Sequence, residues 1–257
     1  MIMLFKYVIR VILYIQYSLY KLTGKGPFGK NQAVYLHQVD ISGSTLLKQA
    51  MVRHHVKQYH EASCSVASVV NVINAVSDVK KSLNGSPITQ LQILDTVKEA
   101  HWKERMEPGG HNGKRGLPLS VLGDVVTGSF EAYDLPFEEI KVIKASRNGG
   151  VAEAKNELRA RLLEYETTGN SLVIAHFNQG VYVKALQIPH ISPVGGYNPE
   201  TDMVTVLDVD FIQKKNYEIT FDRFYEGLAN NYNNMFKAFG FDCGGYIYVK
   251  LKQGPQI

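Results

Sequence analysis

Cysteine is almost missing from this chain: Cys64 and Cys243 are the two in 257 residues. So few thiols exclude a disulfide framework, and a structural zinc site would have to be completed by other ligand types. Acid is missing from the first 39 residues, which carry Lys6, Arg10, Lys21, Lys25 and Lys30. The other 23 basic and 24 acidic residues nearly cancel, so the net charge of +4 belongs to the first segment. The body offers no basic footprint for nucleic acid, which is excluded as a partner. A long apolar run is missing too. A membrane-spanning helix needs about 20 nearly continuous apolar residues, but Val11 to Leu22 falls short and counting from Met1 includes Lys6 and Arg10.

What is present describes a folded globular protein, 45% hydrophobic and 20% charged, without internal repeats or low-complexity stretches. Residues 1–31 read as an apolar, basic segment followed by a Gly/Lys linker, and residues 32–257 as one domain. The opening MIMLFKYVIRVILYIQYSLYKL suits a signal-anchor, a signal peptide, an interfacial helix in contact with a membrane through residues 1–22, or a helix packed on the body. Membrane association or export follows from the first three, and a cytoplasmic protein from the last.

Along the domain, QAVYLHQVD reads as extended and SGSTLLKQAMVRHHV as a short helix with a serine cap. From Cys64 the positions Val66, Val69, Val70, Ile73 and Val76 recur at helical spacing. Ser86 as cap and Pro87 at the first position predict a further helix. RMEPGGHNGKRG is a loop, LPLSVLGDVVTG a short helix and NGGVAEAKNELRARLLEYETTG a long amphipathic one. Beyond residue 170 the period changes to that of strands in NSLVIAHFN, HISPVGGYN and DMVTVLDVD. YEITFDRFYEGLAN then reads as helix and GFDCGGYIYVKL as a closing strand. Helices first and strands later predict an α+β fold, a helical lobe followed by an antiparallel-sheet lobe.

Cys64 stands at a helix start, where unpaired N–H groups and the positive dipole end stabilise a thiolate. A nucleophilic thiol also needs a base, normally a histidine oriented by a third group. His190 opens a strand-like piece with a glycine turn, and eighteen residues later another strand ends in LDVD. Two adjacent antiparallel strands would set His190 beside Asp208 or Asp210. Asn198 falls in a turn and is a poor third member. His54, His55 and His60 resemble a metal cluster in composition only, and without further ligands they read as exposed side chains.

QYHEASCSVASVVNVINAV resembles the nucleophile segment of the phytochelatin synthase family, and HISPVGGYNPETDMVTVLDVD its histidine–aspartate segment. The similarity runs from about Tyr35 to Leu228. It implies a papain-like cysteine protease fold, with Cys64 as nucleophile, His190 as general base and acid, and Asp208 orienting the imidazole. Gln58 falls on the glutamine that helps form the oxyanion hole; without the resemblance it reads as a surface residue. The implied substrate is glutathione, cleaved to glycine and a γ-glutamylcysteinyl-enzyme that passes to water or to a second glutathione. No fixed cofactor or metal site is implied; heavy-metal ions enter as glutathione thiolates or activators.

The chain departs from that pattern in three places. Pro189 replaces the glycine before the histidine, Phe211 an arginine three residues after the aspartate, and Gln179 a basic residue before the histidine. A guanidinium fork on a carboxylate is not reproduced by phenylalanine. Arg115, Lys184, Lys214 and Lys215 are the candidate compensating substrate contacts. A cysteine peptidase or acyltransferase acting on another peptide, and an inactive membrane-tethered binding protein, are the alternatives. Plant members carry a second, cysteine-rich domain for which this chain has neither length nor cysteines, and short members suggest hydrolysis over polymer synthesis.

Overall fold

The computed structural model describes residues 2–23, 33–81, 86–183, 185–232, 234–237 and 239–252. It is an α+β fold organised on one seven-stranded antiparallel sheet. The strands are β1 (Val34–Tyr35), β2 (Phe137–Lys144), β3 (Ser171–Asn178), β4 (Pro189–Asn198), β5 (Met203–Val206), β6 (Tyr217–Thr220) and β7 (Gly245–Leu251), in the spatial order β1-β6-β5-β4-β3-β7-β2.

The helices are α1 (Ile2–Thr23), α2 (Leu46–Arg53), α3 (Cys64–Lys80), α4 (Gln90–Thr96), α5 (Trp102–Met106), α6 (Leu119–Ala132), α7 (Val151–Thr168), α8 (Gln179–Tyr182), α9 (Phe221–Leu228) and α10 (Asn234–Lys237). One apolar cluster joins α2, α3, α4 and α6 to Leu172, Ile174, Ile191, Ile247 and Val249 of the sheet. A second joins α7, α8 and α9 to Val173, Ala175, Phe177, Val194, Val206 and Tyr248. Odd and even residues of β3 thus enter different clusters, which is why all eight of its residues are buried. Helices cover both faces of one sheet, so the strands do not form a lobe of their own.

The central helix is α3. Every residue from Ser65 to Ser77 is buried, and the polar Ser65, Ser68, Asn71 and Asn74 among them are hydrogen-bonded to Trp102, Ile191, Met51 and Ile88. Its valines and Ile73 each cost a few tenths of a kcal/mol in helix propensity, up to about 0.7. Full burial of each returns about 1.5–3 kcal/mol, so packing decides.

Several local expectations are corrected. The α2 cap is Thr45, whose hydroxyl accepts from the Lys48 N–H, not a serine. The next helix begins later than Ser86 and Pro87, with Thr89 and Gln92 forming a reciprocal capping box. YEIT is strand β6, and the helix starts at Phe221 behind a Thr220 cap. Strand β2 had no sequence signal of its own: four of its eight residues are charged, and it is an edge strand against β7.

Candidate active site

Cys64 is the first residue of α3, so its N–H is among the four that a helix leaves without an intrahelical acceptor. The preceding Ser63 does not cap them. Its hydroxyl donates to the His60 carbonyl and accepts the His60 N–H at 2.9 and 3.1 Å, which tightens the turn before the helix. The exposed end of the dipole is therefore left to whatever lies at Cys64.

His190 is the second residue of β4 and Asp208 lies just beyond β5, which runs antiparallel beside it. The bulge between Val194 and Gly196 adjusts this pairing. A Cβ on Gly195 would stand 2.6 Å from the Leu207 side chain, so glycine is what lets the chain leading to Asp208 pass so closely. His190 Nε2 and Asp208 Oδ1 are 2.9 Å apart, both residues buried. The Cys64 sulfur is near enough to the imidazole to help raise its pKa. With Nε2 engaged by Asp208, Nδ1 is the nitrogen left for sulfur.

Asp208 is held from several sides. Its Oδ2 accepts from Tyr217 Oη at 2.7 Å and its Oδ1 from the Asp210 N–H at 2.8 Å. Its backbone carbonyl meets His55 Nε2 at 3.0 Å and accepts from Lys57 Nζ at 2.5 Å. Ser192 Oγ lies 3.1 Å from His190 Nε2 and accepts the Val209 N–H at 3.3 Å. Burial alone would lower the His190 pKa, but the Asp208 charge, its hydrogen bond and the Cys64 sulfur push it up to about 10. Burial would likewise raise Asp208, but the His190 charge and the surrounding donors hold it below the usual carboxylate range. The imidazole is thus kept protonated and aimed, the state in which it stabilises a thiolate and can protonate a leaving group.

The two helices and strands carrying these groups are tied together. Ser68, one turn into α3, donates to the Ile191 carbonyl at 3.0 Å. Trp102 Nε1 donates to Ser65 Oγ at 3.0 Å. Gln58 is buried, and its N–H donates to the Val209 carbonyl at 2.8 Å, one residue past Asp208. Its Oε1 is buried without a hydrogen-bond partner.

Cys64 opens on a cleft of about 170 Å³, with walls that include Arg115, Leu117, His176, Pro189, Phe236 and Phe241. Apolar side chains dominate, and Arg115 is the basic one among them. Its Nη1 lies 3.4 Å from Glu61, and its Nε is buried without a hydrogen-bond partner. His176 is wholly buried, with Nε2 3.2 Å from the Leu117 carbonyl and Nδ1 3.4 Å from Tyr232 Oη. Burial lowers its pKa to about 4, so it stays neutral beside the thiol.

The other candidates lie elsewhere. Lys214 and Lys215 are exposed in the connection between β5 and β6 and do not line this cleft. Lys184 lies outside the described residues. Gln179 is buried, with Nε2 2.6 Å from Asp210 Oδ2, so Asp210 serves that amide and not His190. Phe211 is exposed. Asn198 closes a turn by accepting the Glu200 and Thr201 N–H groups. The three histidines are half-buried, not exposed as expected, and they go separate ways: His54 to Asp78, His55 to Asp208, and His60 to the Ala62 N–H. Among the described residues no His, Cys, Asp and Glu side chains group as a metal site.

Sequence reasoning missed Tyr217, Ser192, Lys57 and His176. Ser192 alone had a readable signal, since a residue two positions from His190 on a strand faces the same side. No protein-family model matches the chain, and no curated protein matches it either.

Proposed function

We propose that the protein is a cysteine acyltransferase and peptidase of the phytochelatin synthase type, papain-like in its catalytic arrangement, that releases glycine from glutathione. The observation that carries this reading is that Cys64 lines a cleft and has behind it a buried His190, charge-coupled to the sulfur and 2.9 Å from Asp208 Oδ1. Cys64 reacts as a thiolate paired with protonated His190, and the thiolate attacks the carbonyl carbon of the cysteinyl–glycine amide. The oxyanion that forms is held by the Cys64 N–H and the Gln58 side chain. His190 then gives its proton to the amide nitrogen, the carbon–nitrogen bond breaks, and glycine leaves with a free amine. The remaining thioester is attacked by water, or by the amine of a second glutathione, with His190 receiving the incoming proton. Hydrolysis is the main outcome. Heavy-metal ions take part as thiolates of the substrate.

Arg115 supplies the carboxylate contact in this scheme, because it is the basic side chain lining the cleft and its guanidinium still has an unpaired donor. A second reading keeps the chemistry but changes the substrate to another γ-glutamyl or ordinary peptide. It is favoured by Gln179 and Phe211 at positions where glutathione recognition calls for basic side chains.

The test is incubation with glutathione, with and without cadmium or zinc, while released glycine and γ-glutamylcysteine oligomers are measured. Glycine release lost in Cys64→Ala supports the reading. If the intact protein releases no glycine and Cys64→Ala behaves identically, the glutathione assignment fails.

A further inference from the structure

Helix α1 has a face that the catalytic reading leaves unused. It runs for 22 residues without an acidic side chain, about 33 Å at 1.5 Å per residue. Ile9 and Leu13, one turn apart, are buried. Tyr7, Val11, Ile12, Tyr14, Ile15 and Leu22 are each about half exposed or more. At about 100° per residue these six positions spread over an arc of roughly 160°, on the side of the helix opposite Ile9 and Leu13. The positions of Lys6, Arg10 and Lys21 fall together in an adjoining arc of about 60°.

We propose that α1 binds the surface of an anionic lipid bilayer, lying in the headgroup plane with this apolar arc turned toward the acyl chains. The shape of the face selects that occupant. A coiled-coil partner needs a narrow seam, and an arc this wide would leave most of its apolar side chains in water. A bilayer covers the whole arc at once. The basic edge then meets the headgroups, and tyrosines suit the boundary between water and hydrocarbon. The helix lies on the membrane and does not cross it: no helix among the described residues is long and apolar enough to do so. Five basic residues and no acid in the first 39 make the attraction specific to negative headgroups.

The experiment is flotation of the full chain with phosphatidylcholine vesicles and with vesicles in which phosphatidylserine replaces about a third of that lipid. Binding to the second kind is expected, with little to the first, and raised salt weakens it. Ile12→Glu with Ile15→Glu abolishes flotation. Lys6→Gln, Arg10→Gln and Lys21→Gln together weaken it on the order of a hundredfold, at about fivefold per basic residue removed. The altered side chains at 12 and 15 are exposed, and an unchanged melting curve shows that the body still folds. Equal flotation with both vesicle types, or none with either, overturns the proposal. So does a dimer in light scattering that Ile12→Glu with Ile15→Glu converts to monomer while flotation is absent, since the face then belongs to a second copy of the chain. Glycine release is not read in this experiment, so its outcome is separate from that of the catalytic reading.

Discussion

Ser68 donates from inside α3 to the Ile191 carbonyl at 3.0 Å, so the helix that begins with Cys64 is pinned to the strand that presents His190. Both residues are buried, and no solvent can replace this bond. Ser68→Ala leaves the carbonyl without a donor, at a cost of about 1–3 kcal/mol. Thermal unfolding should register that loss. The larger effect is expected on kcat for glycine release, with KM little changed, because the substitution loosens the spacing between sulfur and imidazole without touching the substrate. A fall in KM-controlled steps alone would contradict this role.

The His190–Asp208 pair predicts a stability profile with two limits. The raised pKa of His190 makes its contribution complete below the ordinary histidine value of about 6.5. That contribution is lost as pH rises through about 10. Asp208 has a lowered pKa, so its contribution is complete above the ordinary carboxylate value of about 3.9 and lost as pH falls through the folded one. Asp208→Asn therefore costs most between those limits, about 3–5 kcal/mol, the usual result of removing one member of a buried pair. Urea unfolding of both proteins across pH should show the difference shrinking toward either end. The variant should also move the alkaline limb of glycine release downward, because the Asp208 charge that helps hold the His190 pKa up against its burial is then gone.

His176 carries the opposite sign. Its folded pKa is about 4 because it is buried, while the unfolded chain takes up a proton near the ordinary value of about 6.5. Its stabilising effect is present above that value and declines as pH falls toward 4. The slope between these limits is up to about 1.4 kcal/mol per pH unit for each proton bound on unfolding. His55 adds a similar slope, for its pKa is also lowered to about 4 by burial and by Lys57. His176→Gln should reduce the measured slope by up to one proton even if it lowers overall stability. An unchanged slope would mean that His176 is charged in the folded protein.

Much of the frame was legible because it rests on period. The helical spacing after Cys64 and the alternation in HISPVGGYN and DMVTVLDVD place α3, β4 and β5, and with them the approach of His190 to Asp208. What period does not carry was invisible. Tyr217, Lys57 and His55 reach Asp208 through tertiary contacts with no fixed offset in the chain. Strand β2 was hidden because its charged residues stand at a sheet edge, where one side of the strand needs no apolar partner. The caps were misplaced because Ser86 and Thr89 are both competent, and the partner Gln92 three residues on decides for Thr89. Gln58 was read as a surface residue when taken alone, yet a single backbone bond to Val209 draws it into the core.

The two thiols should react very differently. Cys243 has its pKa raised by burial and by the neighbouring Asp242 carboxylate. Cys64 sits at a helix N-terminus next to an imidazole held protonated. Iodoacetamide at pH 7, followed by peptide mass measurement, should therefore label Cys64 well before Cys243. His190→Ala should remove most of that preference while leaving Cys243 unaffected. Equal rates in the unaltered protein would count against any reading of Cys64 as a nucleophile.

Arg115 separates the glutathione reading from its alternative. A charge-assisted hydrogen bond to a substrate carboxylate is worth about 1.5–3 kcal/mol, so Arg115→Met should raise KM for glutathione about 10- to 150-fold with kcat nearly unchanged. Arg115→Lys should recover part of the loss, since it restores charge but not the fork. Amidating each glutathione carboxyl in turn identifies the one that is read. For that analogue the unaltered enzyme and Arg115→Met should have the same KM. Lys214→Met and Lys215→Met should leave KM alone, because those side chains lie outside the cleft. Equal loss with every amidated analogue, or none, would place recognition of the carboxylate elsewhere and leave an uncharged peptide as the better substrate for this cleft.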